Sequence, residues 1–236
     1  MLIKDYAAGI QFLGIQPEDK GVLIGCMYEP NIDVDAALTI LPEADFEMKD
    51  RLWPLLKLKR MSVFAVAAII NKCVTDMKPN VSFVNVGVWN GFSLLSGMAG
   101  NPERVCVGVD NFSEFGGPRA EFGERFKAMK SENHFFYEMD YLDYFKTWHK
   151  GEIGFYIYDG SHTRENQCQG LVAAEPFFSD DCLVLIDDIN MADAVSGTQD
   201  FLDKSKNKYE TLFKRNTAHN MHPTLWNGIQ LMRRLS

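Results

Sequence analysis

The chain has 236 residues, 46% of them hydrophobic, which is enough to bury one sizeable core in a single α/β domain. Acidic residues outnumber basic ones by 32 to 24, and the net charge of −8 argues against nucleic-acid phosphate or an anionic membrane surface as the main partner. The composition therefore favours a small-molecule ligand.

The N-terminal region does not read as a targeting segment. Residues 1–20 include Asp5, Gln11 and Glu18, so they lack the basic start and the continuous apolar core of a signal peptide. No apolar run approaches the roughly 20 residues that a membrane span needs. The five cysteines are scattered without a C-x-x-C pair, which is typical of core thiols in a reducing compartment. We therefore expect a cytoplasmic protein.

The first quarter of the chain predicts an extension followed by a helix. Residues 1–55 are interpreted as a mixed N-terminal extension and residues 56–236 as the main domain. The segment "LKLKRMSVFAVAAIINKCVTDM", residues 56–77, has the pattern of an amphipathic helix with a basic start. Its run "KLKR" at 57–60 is interpreted as a solvated helix face and not as an anion site.

From Val81 onward, short apolar runs alternate with segments of helical spacing. Five runs predict buried strands: "VSFVNVGV", "RVCVGVD", "HFFYEMD", "IGFYIYD" and "CLVLIDD". Helices are expected between them, with Pro118 in a first helical turn and Pro176 bending or ending its helix. A helix at about 192–204 and two closing strands, "YETLFKRN" and "GIQLMRR", follow. This order predicts an α/β fold with a doubly wound, mostly parallel sheet.

Candidate binding residues follow the predicted strands, because ligands of open parallel sheets bind outside the carboxyl ends of the strands. In "VNVGVWNGFS", Gly87 and Gly91 allow a tight turn before a helix start, although a plain βα turn is an alternative. Asp110 ends the next strand, where an acid can accept hydrogen bonds from ribose hydroxyls. Asp140 either caps the following helix or lies near an adenine ring.

The order of the motifs "VNVGVWNGFS", "GVDNFS", "YEMDY", "YIYDGSH", "VLIDDIN" and "WNGIQLM" resembles the class I S-adenosylmethionine-dependent methyltransferases, from about Ser62 to the C-terminus. Within that class it is similar to the metal-dependent O-methyltransferases of the catechol type and of the macrolide and aminocoumarin sugar type. The resemblance implies a seven-stranded Rossmann-like sheet with a final antiparallel strand, and S-adenosylmethionine as the cofactor.

The resemblance also assigns the cofactor contacts. Gly87, Gly91 and Ser93 match the loop that holds the methionine part, and Asp110 matches the ribose-binding acid. Asn85 stands where the family usually has an acid, although an amide oxygen can still accept from the cofactor ammonium. The full predicted cofactor-binding set is Asn85, Gly87, Trp89, Gly91, Ser93, Asp110, Asp140 and Asp159.

Asp159, Asp187 and Asp188 match the metal ligands of the family. Carboxylates on adjacent strand ends can hold Mg²⁺ while water and substrate oxygens complete its coordination. The alternative is that the pair at 187–188 caps the following helix. The predicted catalytic residues are Asp159 and His162, because His162 falls at the position of the general base and an imidazole can accept a hydroxyl proton. Alternatively, His162 begins the next helix with its side chain in solvent.

The sequence thus predicts an O-methyltransferase that acts on a hydroxyl of a small molecule, a sugar or a phenol, with no nucleic-acid or membrane partner and with a homo-oligomer possible. Phe112, Phe115 and Trp226 indicate an aromatic-lined pocket. Two alternatives remain: a non-catalytic cofactor-binding module, which Asn85 favours, and a nicotinamide oxidoreductase, which the absent third glycine of the dinucleotide motif disfavours.

Two further interpretations concern residues outside these motifs. His219 and His222 are interpreted as part of a connecting loop or of the substrate lining, and a second metal site is the alternative. Met129, Met139 and Met191 are expected in the core.

Overall fold

The computed structural model describes residues 1–21 and 34–235, and the part before Val81 is mostly helical. Its helices are α1 (Ile3–Gly9), α2 (Val34–Leu38), α3 (Asp45–Leu56) and α4 (Phe64–Asp76). Two short strands, β1 (Gln11–Phe12) and β2 (Thr39–Ile40), pair antiparallel. Tyr6 of α1 and Leu52 of α3 are fully buried in the same core cluster as α4. These helices are therefore packed onto the main body of the protein.

The remainder of the described chain is built around one seven-stranded sheet. Its strands are β3 (Val81–Val86), β4 (Val105–Asp110), β5 (His134–Glu138), β6 (Glu152–Tyr158), β7 (Phe178–Ile186), β8 (Lys208–Arg215) and β9 (Ile229–Leu235). The spatial order is β5-β4-β3-β6-β7-β9-β8. Strands β3 to β7 run parallel, whereas β9 is antiparallel to both of its neighbours. The predicted Rossmann-like methyltransferase fold is confirmed.

Helices cover both faces of this sheet. They are α5 (Phe92–Met98), α6 (Arg119–Met129), α7 (Tyr141–Thr147), α8 (Arg164–Ala174) and α9 (Ala192–Lys204). In β3, Phe83 packs into the cluster formed with α4 and α5, while its neighbour Val84 packs into the cluster formed with α8. Such alternation on two covered faces explains why the strands read as continuous apolar runs. As predicted, α8 ends before Pro176, which lies in a short 3₁₀ turn.

The prediction of one amphipathic helix over 56–77 was wrong in two respects. The helix α4 begins only at Phe64 and is buried on nearly all sides, because the N-terminal helices cover it. The run at 57–60 is only partly solvated: Lys57 and Lys59 are exposed, but Arg60 is buried. Arg60 donates to both carboxylate oxygens of Asp35 at 2.8 and 2.9 Å. Asp35 also accepts from the backbone N–H of Phe64 at 2.6 Å. A partner from a distant segment therefore fixes where α4 starts.

The topology favours a ligand site at one end of β3. This central strand pairs with β4 on one side and with β6 on the other, so the chain order reverses there and a crevice opens at the carboxyl ends. Within the described ranges, no helix is long and apolar enough to cross a membrane.

Candidate active site

A cavity of about 750 Å³ lies at the carboxyl ends of the parallel strands. Most of the predicted site residues line it: Gly87, Trp89, Ser93, Asp110, Asp140, Asp159, His162, Asp187 and Asp188. Asn85 and Gly91 are not among the described residues that line it. The fold therefore brings the predicted cofactor loop and the predicted acid cluster together in one space.

The glycine loop owes its shape to the contact between two strand ends. Gly87 has a φ of 80°, and a Cβ added there would lie 1.9 Å from the carbonyl oxygen of Asp159. The N–H of Asp159 donates to the carbonyl of Val86 at 2.8 Å. Only a residue without a side chain permits this approach. Gly91, with a φ of 96°, ends the turn directly before α5.

Asp110 holds the glycine loop against the next strand. One of its carboxylate oxygens accepts from the backbone N–H groups of Val88 and Trp89, each at 2.7 Å. The other accepts from the N–H of Phe112 at 2.6 Å. The indole Nε1 of Trp89 donates to the carbonyl of Phe115 at 3.0 Å. Asp110 thus organises two loops of the cavity wall, and its ribose contact stays a prediction.

Asn85 and Asp140 both make local contacts. Asn85 is fully buried, and its Nδ2 donates to the carbonyls of Val86 and Gly87 at 3.2 and 3.0 Å. Its Oδ1 is buried without a hydrogen-bond partner among the described residues. Asp140 caps α7 by accepting from the N–H of Leu142 at 2.8 Å, and it also lines the cavity. The cap therefore does not remove Asp140 from the site.

The acid cluster follows the ends of β6 and β7. Asp187 accepts from the N–H of Asp188 at 2.9 Å, and Asp188 accepts from Nδ2 of Asn227 at 2.7 Å. Burial, together with the charges of Asp188 and Asp159, raises the pKa of Asp187 well above its usual range. Burial also raises the pKa of Asp188. The helix-cap alternative for this pair is wrong, because Met191 is the N-cap of α9 and no side chain caps that helix.

His162 lies against this cluster and not in solvent. Its Nε2 is 3.4 Å from Oδ1 of Asp159 and 3.3 Å from Oδ2 of Asp188. Burial alone would lower the pKa of His162, but the hydrogen bond to Asp159 and the charges of all three aspartates raise it to about 9. The helix α8 begins at Arg164 with Thr163 as its cap, so the alternative of a solvent-exposed helix start is wrong.

The donor atoms of the cluster suit Mg²⁺ in chemistry, since the predicted ligands are carboxylate oxygens on adjacent strand ends. The arrangement of the side chains does not suit it, because the imidazole of His162 contacts both Asp159 and Asp188. In the part of the chain that the structure describes, no group of three or more His, Cys, Asp or Glu residues is positioned to hold a metal ion. As the side chains stand, the cluster does not fit the metal.

His219 and His222 belong to a connecting loop and are not among the described residues that line the cavity. His222 is fully buried, where its Nε2 donates to the carbonyl of Asp19 at 3.2 Å and its Nδ1 accepts from the hydroxyl of Thr224 at 2.7 Å. Burial lowers the pKa of His222. His222 thus joins the N-terminal region to the loop before β9, whereas Nδ1 of His219 donates to the carbonyl of its neighbour Asn220. This agrees with the connecting-loop interpretation of the two histidines.

The sequence missed several wall residues. Phe112, Phe115 and Trp226 line the cavity as predicted. Met139 and Met191 were expected in the core but lie on the wall, and Met129 is 36% exposed. The lining residues that stood in none of the recognised motifs are Met61, Ser62, Glu114, Asn166, Asn220 and Met221. The first two come from the segment before α4, so only tertiary packing brings them to the site.

Comparisons with known proteins agree with the fold. Residues 84–189 match a family described as a methyltransferase domain. An O-methyltransferase of Streptomyces achromogenes involved in tomaymycin synthesis, in complex with S-adenosylmethionine, is 11% identical, with 87% of this chain and 92% of that chain covered and a TM-score of 0.52. An O-methyltransferase of Bacillus cereus in complex with S-adenosylhomocysteine is 8% identical, with 72% and 78% covered and a TM-score of 0.50.

A third similar structure is an rRNA methylase of Streptococcus thermophilus, 7% identical, with 71% of this chain and 94% of that chain covered and a TM-score of 0.52. No curated protein matches the sequence. The family match and the shared fold confirm the predicted resemblance to the class I S-adenosylmethionine-dependent methyltransferases.

Proposed function

We propose that this protein transfers the methyl group of S-adenosylmethionine to a hydroxyl of a small molecule. The observation that carries this proposal is the position of His162: it contacts Asp159 and Asp188 in the same cavity as the loop from Gly87 to Ser93. If that loop holds the methyl donor, the imidazole of His162 lies in the same cavity as the donor. A base beside a methyl donor is the arrangement that hydroxyl methylation needs.

A small acceptor is favoured over RNA by the charge of the site. The described lining residues include no Lys or Arg, and the segment 22–33 contains neither. RNA binding depends on cations that neutralise phosphates, and the net charge of −8 opposes it. The likeness to an rRNA methylase therefore supports a shared fold and not a shared acceptor.

In the proposed reaction, the acceptor oxygen attacks the methyl carbon in line with the departing sulfur, so that an O–C bond forms as the C–S bond breaks. The hydroxyl proton passes to the neutral imidazole of His162. The imidazolium that results is stabilised by the carboxylates of Asp159 and Asp188, which already lie within 3.4 Å of Nε2. The raised pKa of His162 records this stabilisation.

Magnesium assistance stays a prediction. It is supported by the resemblance and by the oxygen ligands that Asp159, Asp187 and Asp188 offer. It requires His162 to move away from the carboxylates, whereas the transfer of the hydroxyl proton to His162 does not depend on the ion. When bound, the ion would acidify the acceptor hydroxyl.

The non-catalytic module is the second candidate, because Asn85 departs from the acid of the family. However, Asn85 is fully buried and lies outside the described lining residues, so an amide at this position does not remove a carboxylate from the wall of the cavity. The catalytic function is therefore preferred.

Two measurements test the proposal in sequence. Titration calorimetry compares S-adenosylhomocysteine with NADH, and only the former is expected to bind. Transfer of a labelled methyl group to a panel of sugars and phenols then tests catalysis. Binding of NADH alone contradicts the proposed donor. Binding of S-adenosylhomocysteine without transfer to any member of a broad panel supports the non-catalytic module.

A further inference from the structure

The charge distribution of the cavity identifies a class of acceptor. Building on the proposed function, we propose that the acceptor carries a cationic amino group in addition to its hydroxyl, and that Glu114 binds this group at the mouth of the cavity.

The lining of the cavity is strongly acidic. Its carboxylates are Asp110, Glu114, Asp140, Asp159, Asp187 and Asp188. His162 is the one basic side chain among the described lining residues. The segment 22–33 adds no cation wherever it lies, because its charged residues are Glu29 and Asp33. An acceptor with a phosphate or carboxylate would be repelled here, whereas an ammonium group would be attracted.

Among these acids, Glu114 is the one whose carboxylate is uncommitted. Asp110 accepts from three backbone N–H groups, and Asp140 caps α7. The three aspartates after β6 and β7 are gathered around His162. The side chain of Glu114 makes no hydrogen bond or ion pair with any residue in the described ranges. It is therefore available to a ligand, and it stays available whichever cation occupies the aspartate cluster.

Glu114 stands between two aromatic residues that also line the cavity. Phe112 and Phe115 have φ values of 53° and 50°, so the loop turns sharply on both sides of Glu114. The bond from the Trp89 indole to the carbonyl of Phe115 holds this loop over the cavity. The ring of Phe115 is 65% exposed, which places it at the mouth. The ring of Phe112 already packs against Phe122, Phe136 and the guanidinium of Arg119, so the exposed ring of Phe115 is the aromatic surface next to Glu114 in the chain. A carboxylate beside an exposed aromatic ring is a combination that binds ammonium groups through charge and cation–π contacts.

The experiment compares matched probes on protein saturated with S-adenosylhomocysteine. One series is dopamine, 4-ethylcatechol and 3,4-dihydroxyphenylacetate, and the other is glucosamine, glucose and glucuronate. Affinities are measured by ligand-observed NMR titration. In at least one series the amine is expected to bind about tenfold or more tightly than the carboxylate, with the neutral compound between them. Equal binding within both series, a preference for the carboxylates, or no binding by either amine overturns the proposal.

A pair of variants assigns the effect to Glu114. Glu114→Gln keeps the shape and removes the charge, so the advantage of the amine over the neutral probe is expected to fall about threefold to tenfold. Glu121→Gln makes the same charge change on the exposed face of α6, outside the described lining, and should keep the advantage. An undiminished advantage in Glu114→Gln contradicts the assignment. Failure of the proposed function is distinguishable, because it appears as absent binding of S-adenosylhomocysteine or as absent methyl transfer, whereas these titrations measure binding of the acceptor to the loaded protein.

Discussion

The Nε2 atom of His162 lies 3.3 Å from a carboxylate oxygen of Asp188, a residue that follows the neighbouring strand. Asp159, three residues before His162 in the chain, contacts the same nitrogen through its Oδ1 atom at 3.4 Å. The imidazole is thus held at the end of two parallel strands by two acids, and it faces the cavity that also contains the glycine loop. This arrangement makes the proposed base testable in several independent ways.

Removing the imidazole should impair catalysis and spare donor binding. His162→Ala is expected to lower kcat by roughly 10²–10⁴, because a general base acts in the transition state. Affinity for S-adenosylhomocysteine, measured by calorimetry, should change little. His219→Ala serves as the control, since it removes an imidazole outside the described cavity lining. Near-wild-type kcat in His162→Ala would show that another group accepts the proton.

The pH profile should report the raised pKa of His162. With a pKa of about 9 in place of 6.5, the imidazole is largely protonated near neutral pH and cannot accept a proton. As the pH rises toward that value, the neutral fraction grows and log kcat/KM should increase. Asp159→Asn removes the partner that contributes most to raising the pKa of His162, so the rise in log kcat/KM should shift to lower pH. Asp143→Asn on the exposed part of α7 is the control. A wild-type profile that is flat over this range argues against His162 as the base.

Asp110→Ala should weaken the cofactor by about 1.5–3 kcal/mol, because a charge-assisted acceptor of the ribose hydroxyls is lost. The structure adds a second reason, since Asp110 also binds the N–H groups of Val88 and Trp89. Calorimetry with S-adenosylhomocysteine measures the effect, and Asp143→Ala gives the matched loss of an exposed acid. Unchanged affinity in Asp110→Ala would refute the ribose assignment.

A chelator tests the predicted magnesium. If the ion assists the reaction, removing it should abolish turnover while leaving the binding of S-adenosylhomocysteine largely intact, and added Mg²⁺ should restore turnover. Asp187→Asn should then show the same loss without rescue. Full turnover in the presence of the chelator contradicts magnesium assistance. His162 would then be the cation that balances the charges of the acid cluster.

The fold and most of the site were predictable because their signals are local. Strands such as Val105–Asp110 are continuous apolar runs, and an acid at the carboxyl end of a parallel strand lies at the edge of the sheet where the crevice opens. Contacts between distant segments gave no such signal. The bond from Asn227 to Asp188, and the ion pair of Arg60 with Asp35, depend on packing that no single segment encodes.

The close approach of Gly87 to Asp159 gives a stability test of the site. An alanine at Gly87 would have to adopt a φ of 80° and would place its Cβ 1.9 Å from the carbonyl oxygen of Asp159. The left-handed conformation alone costs about 1–2 kcal/mol, and the clash with backbone adds to it. Gly87→Ala is therefore expected to lower the free energy of unfolding in urea by at least about 2 kcal/mol.

Gly123→Ala is the matched control for this substitution. Gly123 lies within α6, its φ is not positive, and no atom lies within 4 Å of an added Cβ. Alanine is favoured over glycine in a helix interior, so this variant should be unchanged or more stable by up to about 1 kcal/mol. The comparison separates the effect of replacing a glycine in general from the effect of the clash between an added Cβ at position 87 and the carbonyl of Asp159. If both variants unfold at the wild-type urea concentration, the contact between the ends of β3 and β6 does not constrain position 87, and the glycine loop is not held as the structure has it.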